Sequence, residues 1–192
     1  GDIGGAGGNG FLDIDGDAAS ATADAIAAEG LPAPWFRRCD LRDIDALRAA
    51  VAAAADALGP IGVLSNNAAN DQRHAWEDVT PEYWDERQAT NIRHQFFAIQ
   101  AVAPAMKAAG GGSIINFGSI SWHRNGGGMP AYTTAKAAAE GLTKGMARDL
   151  GPFGIRVNAV IPGWIMTKRQ IDLWLTPEAE ERLMRDQCIP AR

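Results

Sequence analysis

A buried strand, a glycine-rich bend and a long helix follow one another in GSIINFGSISWHRNGGGMPAYTTAKAAAEGLTKGMARDL, residues 112–150. The apolar run at its start, residues 112–119, has the length of a buried strand. Alanine and other good helix formers dominate its second half, which predicts a helix over residues 131–150. A strand that leads into a helix is half of a βαβ unit, so this stretch indicates a sheet of parallel strands.

Strand-length apolar runs alternate with alanine-rich helical stretches along the rest of the chain. We predict strands at 11–15, 35–41, 61–68, 112–119 and 155–163. We predict helices at 18–30, 43–59, 81–109 and 131–150. This alternation is typical of an α/β fold in which a doubly wound parallel sheet lies between two layers of helices, an α/β/α arrangement. Ligands of such sheets bind beyond the carboxyl ends of the strands.

Composition limits the class of protein. With 46% hydrophobic and 21% charged residues, the 192-residue chain has the make-up of one globular domain. A net charge of −5 without a cluster of lysines and arginines argues against a nucleic-acid or anionic-membrane surface. No apolar run approaches the roughly 18 residues of a membrane span. Because Cys39, Cys188 and the three histidines show no metal-ligand spacing, we expect no metal and a reduced, cytoplasmic protein.

Glycines are concentrated in GGAGGNG, residues 4–10, where Gly4, Gly8 and Gly10 fit a Gly-x-x-x-Gly-x-Gly pattern. Such glycines let the backbone approach a pyrophosphate, and a following helix N-terminus completes the anion site. Only three residues precede Gly4, and no helix fits between Gly10 and the acidic DID at 13–15. We therefore expect a single nucleotide-binding domain whose first strand, first helix and C-terminal strand are missing from these 192 residues. An intact mass of 20.3 kDa would contradict this expectation.

Asp13 ends the first predicted strand, where a carboxylate can accept hydrogen bonds from both hydroxyls of an adenosine ribose. The same negative charge repels a 2′-phosphate, which favours NAD over NADP as the cofactor. The alternative is that Asp13, Asp15 and Asp17 form a solvated cluster at a turn and a helix start, which is how we interpret Asp17.

Tyr132 and Lys136 are four residues apart in the predicted helix 131–150, so their side chains share one face. A tyrosine with its ordinary pKa near 10 is a poor base, but a neighbouring ammonium favours the phenolate and lowers that pKa. Ser119 ends the preceding strand, where its hydroxyl can hydrogen-bond a substrate oxygen. The Tyr-x-x-x-Lys spacing occurs often by chance, and it indicates catalysis here because Ser119 accompanies it.

The chain resembles the short-chain dehydrogenase/reductase family over nearly its whole length. The resemblance rests on the glycine loop at 4–10, Asp40 in RCDL, NNAA at 66–69, Asn91 in TNIRHQFF, Ser119, Tyr132, Lys136 and PGWIMT at 162–167. It implies a Rossmann-type fold and a catalytic tetrad of Asn91, Ser119, Tyr132 and Lys136. In that tetrad Tyr132 removes the substrate proton and Ser119 holds the substrate oxygen. Lys136 lowers the pKa of Tyr132 and holds the nicotinamide ribose, and Asn91 anchors a water that relays the proton.

The resemblance also implies that a nicotinamide dinucleotide, NAD rather than NADP, binds at the carboxyl ends of the strands. Asp40 would meet the adenine amino group, and Ile165 and Thr167 would hold the carboxamide and the phosphate. The complete set of implied cofactor contacts is Gly4, Gly8, Asn9, Gly10, Asp13, Ile14, Asp40, Leu41, Asn67, Ala68, Tyr132, Lys136, Pro162, Gly163, Ile165 and Thr167. The chain departs from the family's usual threonine at Ile3, isoleucine at Asn9 and glycine at Ala69.

Local segments that include FLDI, NDQRH, YWDER and INFGSISWH look like those of bacterial D-xylose 1-dehydrogenases and related aldose 1-dehydrogenases. This likeness implies oxidation of an aldose at C1 to a lactone. Polar side chains and indole faces suit a sugar, and the candidate contacts are Asn70, Ser119, Ser121, Trp122, Tyr132, Trp164 and Arg169, with His74 beside them. The alternative for both tryptophans is an ordinary core or interface position. We interpret the carboxylates of YWDER, residues 83–87, as a solvated helix face.

Two other functions stay open at this point. One is a short-chain enzyme that acts on a ketone, an acyl or a steroid alcohol substrate. An apolar substrate pocket would favour this alternative. The other is an inactive cofactor-binding sensor, against which the intact Tyr132 and Lys136 argue. The alanine-rich helix at 131–147 and the family resemblance together suggest a homotetramer, with a dimer as the alternative.

Overall fold

The computed structural model describes residues 8–124 and 126–188. Between Ile161 and Pro162 the chain divides into two compact units. The elements of the first unit are β1 (Gly10–Asp13), α1 (Gly16–Ala28), β2 (Trp35–Arg38), α2 (Ile44–Leu58), β3 (Val63–Asn66), a 3₁₀ turn (Trp76–Asp78), α3 (Pro81–Gln88), a π-helical turn (Ala89–Arg93), α4 (His94–Ala108), β4 (Gly112–Phe117), α5 (Pro130–Leu150), a 3₁₀ turn (Gly151–Phe153) and β5 (Ile155–Val160).

The predicted alternation of strands and helices is confirmed, and every strand pair is parallel. The predicted strands run two or three residues past the observed carboxyl ends. Gly30 and Gly59 end α1 and α2 as expected, with φ angles of 80° and 86° that glycine adopts without steric cost.

The five strands form two parallel sheets. Strand β1 pairs with β2, and β4 lies between β3 and β5. Within the described residues no strand joins β1 to β3, so the single sheet that we predict is divided at this point. As expected for an outer strand, β3 leaves Val63 64% exposed.

The apolar core lies against the second sheet. Its buried members come mainly from α4 and from the strands β4 and β5, and they are Ile99, Val102, Ala103, Met106, Ile114, Leu150, Ile155 and Val157. Gly112 permits the closest approach, because a Cβ at this position would lie 2.5 Å from the sulfur of Met106. Helix α4 and sheet β3–β4–β5 therefore form the rigid support under the carboxyl ends of these strands.

The helix predicted at 81–109 is continuous in outline but contains the π-helical turn Ala89–Arg93. Thr80 caps its start, where the hydroxyl accepts a hydrogen bond from the N–H of Tyr83, and Pro81 takes the first helical position as predicted. A π-helical turn widens the helix by one residue and is frequent at functional sites. This turn contains Asn91, which is fully buried.

The second unit contains α6 (Lys168–Trp174) and α7 (Pro177–Asp186). Each begins with a threonine cap: Thr167 accepts from the N–H of Gln170, and Thr176 accepts from the N–H of Ala179. In the described ranges, 8–124 and 126–188, no helix has the length and apolar character to cross a membrane.

Candidate active site

A cavity of about 310 Å³ opens where β1, β2 and β3 end. Five of the predicted cofactor contacts line it, namely Asp13, Ile14, Asp40, Leu41 and Ala68. The other lining residues are Leu12, Cys39, Arg42, Ala69, Asn70, Glu86, Arg87 and Thr90. Its position beyond the carboxyl ends of parallel strands is the one that the fold predicts for a ligand.

Asp13 is exposed at the end of β1, with its side chain at the cavity. Its Oδ1 accepts a hydrogen bond from the N–H of Asp15 at 2.9 Å. A carboxylate has about four acceptor sites, so it can accept from ribose hydroxyls as well. Asp15 caps α1 through the N–H of Ala18, and Asp17 lies in the first turn of α1, in agreement with our interpretation of Asp17 as part of a helix start.

An ion-pair cluster forms one side of the cavity. The guanidinium of Arg42 donates to both oxygens of Asp40, at 2.7 to 3.1 Å, and to Glu86 at 2.9 Å. The hydrogen bonds from Arg42 hold the pKa of Asp40 below its ordinary value. Burial raises the pKa of Glu86, but its bonds to Arg87 and Arg42 outweigh burial and lower that pKa overall.

This cluster corrects two interpretations. The Asp40 carboxylate is bound first to Arg42, so a contact with an adenine amino group can use only its remaining acceptor capacity. Glu86 faces the cavity and two arginines, whereas we predict a solvated helix face for the carboxylates of residues 83–87. We did not predict Arg42, Glu86 or Thr90 as cavity residues from the sequence. The position of Thr90, directly before Asn91, was the one available signal for it.

The glycine loop is placed differently from our prediction. Gly4 lies outside the described residues. Gly10 begins β1, and the carbonyl of Asn9 accepts from the N–H of Trp35 at 2.8 Å, which extends the sheet. Gly8 and Gly10 pack against Leu58, since a Cβ at either position would lie 2.5 or 2.9 Å from its side chain. These residues lie at the amino end of β1, about 10 Å from the carboxyl end, and therefore do not form a phosphate loop at the cavity.

Asn91 holds the loop that follows β3. Its Oδ1 accepts from the backbone N–H of Asn70 at 2.7 Å, and its Nδ2 donates to the carbonyl of Arg87 at 3.0 Å. The side chain of Asn70 accepts in turn from the N–H of Gln72, which closes a local turn. Asn91 therefore organises residues at the cavity. Asn67 and Ala68 lie in the segment between β3 and this loop.

Ser119 and Tyr132 come together as predicted. Ser119 follows β4, Tyr132 lies in the first turn of α5, and a hydrogen bond joins their hydroxyl groups. Burial raises the pKa of Tyr132 above its ordinary value, whereas the bond to Ser119 acts in the opposite direction. Tyr132 is therefore held at the carboxyl end of β4, where its hydroxyl and that of Ser119 could both hydrogen-bond one substrate oxygen.

Lys136 is 2% exposed, and its ammonium donates to the carbonyl of Phe117 at 2.7 Å. Burial lowers the pKa of Lys136 to about 8. The ammonium lies 5.7 Å from the centre of the Tyr132 ring. The predicted lowering of the Tyr132 pKa by Lys136 is not what this arrangement gives, because burial dominates and the ammonium is directed at a backbone carbonyl.

A buried chain of polar side chains connects the strands to α5. Asn66 donates to Asn116 at 2.9 Å, Asn116 donates to Thr143 at 3.0 Å, and Thr143 donates to the carbonyl of Ala139 at 2.7 Å. Buried amides of this kind are costly unless paired, so the chain fixes β3, β4 and α5 in one arrangement. This chain of hydrogen bonds could not be predicted from the sequence, because Asn66 and Asn116 are 50 residues apart.

The bend after Ser119 holds two sugar candidates. Ser121 donates its backbone N–H to Ser119 at 3.1 Å, and its own hydroxyl is buried without a hydrogen-bond partner among the described residues. The indole N–H of Trp122 donates to Glu140 at 2.8 Å. The polar edge of Trp122 is therefore bound within the protein, which leaves only its ring face for a ligand.

The remaining predicted contacts lie in the second unit. Within that unit Trp164 donates its indole N–H to Gln170 at 2.8 Å, and Thr167 uses its hydroxyl to cap α6. Ile165 is 60% exposed. Pro162 and Gly163 open the unit, and Arg169 lies in α6.

Known proteins are similar to this chain over most of its length. The family model described as enoyl-(acyl carrier protein) reductase matches residues 10–190. A D-xylose 1-dehydrogenase of Caulobacter vibrioides is 48% identical over 182 residues, which are 95% of this chain and 71% of that protein. A probable galactose dehydrogenase of Rhizobium meliloti is 50% identical over 179 residues, which are 93% of this chain and 70% of that protein.

Solved structures with bound cofactors have the same fold. A 7α-hydroxysteroid dehydrogenase complexed with NADH and 7-oxo glycochenodeoxycholic acid has a TM-score of 0.84 and 33% identity, and the match covers 91% of this chain and 67% of that one. A gluconate 5-dehydrogenase from Burkholderia cenocepacia, in complex with NADP and tartrate, has a TM-score of 0.81 and 28% identity, with 91% and 68% covered. The chain belongs to the short-chain dehydrogenase/reductase family. The Rossmann-type fold and the oxidoreductase class that we predict are thereby confirmed.

Proposed function

We propose that the chain is an aldose 1-dehydrogenase, which oxidises C1 of a pentose or hexose such as D-xylose, L-arabinose or galactose to the lactone with NAD. The observation that carries this proposal is 48–50% identity to two sugar dehydrogenases in a chain that keeps Asn91, Ser119, Tyr132 and Lys136. The hydrogen-bonded pair of Ser119 and Tyr132 supplies the groups that the reaction needs.

Oxidation at C1 of a cyclic aldose removes a proton from the hydroxyl and a hydride from the carbon. Tyr132 takes the proton, and Ser119 holds the hydroxyl oxygen so that it points at the phenol. A nicotinamide ring supplies the hydride acceptor when the cofactor is bound. The C1–O bond becomes the carbonyl of the lactone, because the proton has gone to Tyr132 and the hydride with its electron pair has gone to the cofactor.

The environment of Tyr132 makes its ionisation the demanding step. Because burial raises its pKa, the phenolate is scarce at neutral pH. We propose that Lys136 acts by holding the nicotinamide ribose, since its ammonium donates to the carbonyl of Phe117 and does not lower the pKa of Tyr132 in this arrangement. Turnover should accordingly rise as the pH increases from about 7 to about 9, since deprotonated Tyr132 is the active base. A kcat that falls over this range would contradict the assignment.

We propose NAD as the preferred cofactor because Asp13 lies at the cavity, where its charge repels a 2′-phosphate. Asp13→Asn should raise the ratio of kcat/KM with NADP to that with NAD by about tenfold or more. Asp15→Asn is the matched control, because it removes the same charge two residues away and keeps a good helix cap. An unchanged ratio in Asp13→Asn would contradict the role of Asp13.

A sugar suits the site better than a steroid or an acyl chain. The hydroxyl of Ser121 is buried without a partner in the described part of the chain, and a buried hydroxyl left unpaired is destabilising. Once a change of the Ser121 rotamer exposes this hydroxyl, a sugar hydroxyl would supply the missing partner, whereas a hydrocarbon ring would not. We therefore propose Asn70, Ser119, Ser121 and Tyr132 as sugar contacts.

The test is the reduction of NAD at 340 nm with a panel of aldoses: xylose, arabinose, galactose, glucose, fucose and rhamnose. NADP, a secondary alcohol and a steroid alcohol are run in parallel. Turnover of one or two sugars supports the proposal and identifies the substrate. Turnover of the steroid alcohol without any sugar would overturn it in favour of the alternative class of substrate.

We also propose that the protein is a homotetramer of the cytoplasm. The alanines of α5 that stay at least partly accessible, Ala137, Ala138 and Ala147, permit close packing against a second copy. The described cysteines, Cys39 and Cys188, are free thiols as in a reducing compartment. Light scattering on a sizing column measures the assembly, and a monomer would contradict the proposed state.

A further inference from the structure

The helix that carries Tyr132 and Lys136 begins without a cap of its own. Met129 precedes α5 but makes no side-chain capping bond, and Pro130 has no N–H. The N–H of Ala131 donates instead to Nε2 of His74, 3.4 Å away and 57 residues earlier in the chain. An imidazole from the loop after β3 thus takes the place of the Ser, Thr or Asp side chain that usually caps a helix.

Two further hydrogen bonds connect neighbouring elements to the same end of α5. The backbone N–H of His74 donates to the carbonyl of Gly128 at 2.8 Å. The side-chain amide of Gln88, at the end of α3, donates to the carbonyl of Ala131 at 3.0 Å. The residues just before Tyr132 are therefore held by His74 and Gln88 rather than by the bend to which they belong.

The contacts of the imidazole decide which nitrogen carries the proton. Nδ1 of His74 lies 3.0 Å from the carbonyl oxygen of Gln72 and 3.0 Å from the hydroxyl of Tyr83. A carbonyl oxygen can only accept, so Nδ1 carries the hydrogen. Nε2 is then the lone-pair nitrogen and can accept from the N–H of Ala131. Both nitrogens are occupied, so His74 is not the free sugar contact that we predict.

The ring is also held in place by its neighbours. Tyr83 meets it edge to face, with ring centres 5.0 Å apart, and the guanidinium of Arg87 lies 5.3 Å from the Tyr83 ring centre. The carbonyl of Arg87 accepts from the side chain of Asn91. His74 therefore connects the start of α5 to the same helical segment that orients Asn91.

We propose that His74 is a positioning residue: in its neutral Nδ1–H form it caps α5 and fixes Tyr132 relative to Ser119. This inference rests on the proposed function, since it concerns the same tyrosine. His74 touches neither substrate nor cofactor in this role. A tyrosine displaced by about 1 Å loses its alignment with the substrate hydroxyl, which lowers turnover far more than binding.

Two variants separate the capping acceptor from the bulk of the ring. His74→Phe keeps a ring but removes both nitrogens, and His74→Gln keeps an oxygen that can accept from the N–H of Ala131. We expect kcat to fall about 10- to 100-fold in His74→Phe, with KM for the sugar changed much less, and His74→Gln to regain most of the loss. Unchanged kcat in His74→Phe, or equal losses in both variants at equal melting temperature, would overturn the proposal.

The protonation state is measured without any substrate, so the result does not depend on the folding of His74→Phe. With ¹⁵N-labelled histidine the spectrum contains three imidazoles, and the signal absent from His74→Gln belongs to His74. We expect a protonated Nδ1 and an unprotonated Nε2 at neutral pH, and a protonated Nε2 would overturn the cap. If no aldose is oxidised but this tautomer is found, the proposed substrate fails while the cap stands.

Discussion

The two sheets of the first unit differ in what holds them. No residue of β1 or β2 is buried, and the cavity beside them is bordered by exposed and half-exposed ion pairs of Arg42. Strand β4 of the second sheet buries Ile114 and Asn116 completely, between α4 and α5. Surface ion pairs contribute little to stability, whereas a packed core contributes most of it.

This difference assigns separate tasks to the two regions. The first sheet places polar groups around the cavity that we propose for the cofactor ribose, and its residues can change with little effect on folding. The second sheet and α5 hold Ser119, Tyr132 and Lys136 in a fixed relation through buried contacts. Changes at the second sheet should therefore affect chemistry or stability strongly, and changes at the first sheet should affect the choice of cofactor.

The largest expected effect is that of Tyr132→Phe. Removal of the hydroxyl removes the proposed base, so kcat should fall about 10²- to 10⁴-fold. Binding of NADH, followed by fluorescence titration, should be retained because the cavity at the first sheet is untouched. Turnover at the wild-type rate would remove Tyr132 from its role, and loss of NADH binding would show that the two regions are not separable.

A matched pair of core truncations sharpens the comparison. Ile114→Ala should lower the free energy of unfolding by about 2–5 kcal/mol, because Ile114 is fully buried. Leu12→Ala in β1 should cost about 1 kcal/mol, because Leu12 is only half-buried. Urea unfolding measures both. Equal losses would mean that the first sheet is as tightly packed as the second.

Sequence reasoning predicted the secondary structure correctly where it is encoded in short spacings. The i, i+4 spacing of Tyr132 and Lys136 predicts that both lie on one face of a helix, and the alternation of strands and helices predicts the parallel strands. It failed where residues meet across the fold: Arg42 with Glu86 at a separation of 44, and His74 with Ala131 at 57. No periodicity records such pairs. The π-helical turn around Asn91 was not predicted either, because the spacing rules that we applied do not distinguish one π-helical turn from an α-helical one.

A smaller effect concerns pH and the buried Lys136. Its pKa is about 8 in the folded protein against an ordinary value of 10.5. Between these values the unfolded chain binds a proton that the folded protein does not, so stability rises with pH through this window. Urea midpoints of the wild type relative to Lys136→Met should rise between pH 8 and pH 10. If the urea midpoints of the two proteins changed with pH in the same way, the pKa of Lys136 would not be lowered in the folded protein.

The most direct measurement follows the hydrogen at C1. An aldose that is turned over in the 340 nm assay is supplied with deuterium at C1, and the reduced cofactor and the sugar product are analysed by mass spectrometry. The proposed function predicts one deuterium in the reduced cofactor and a lactone, or its hydrolysed acid, without deuterium. Deuterium that stays in the sugar product would place the oxidation at another carbon and contradict the proposed aldose 1-dehydrogenase.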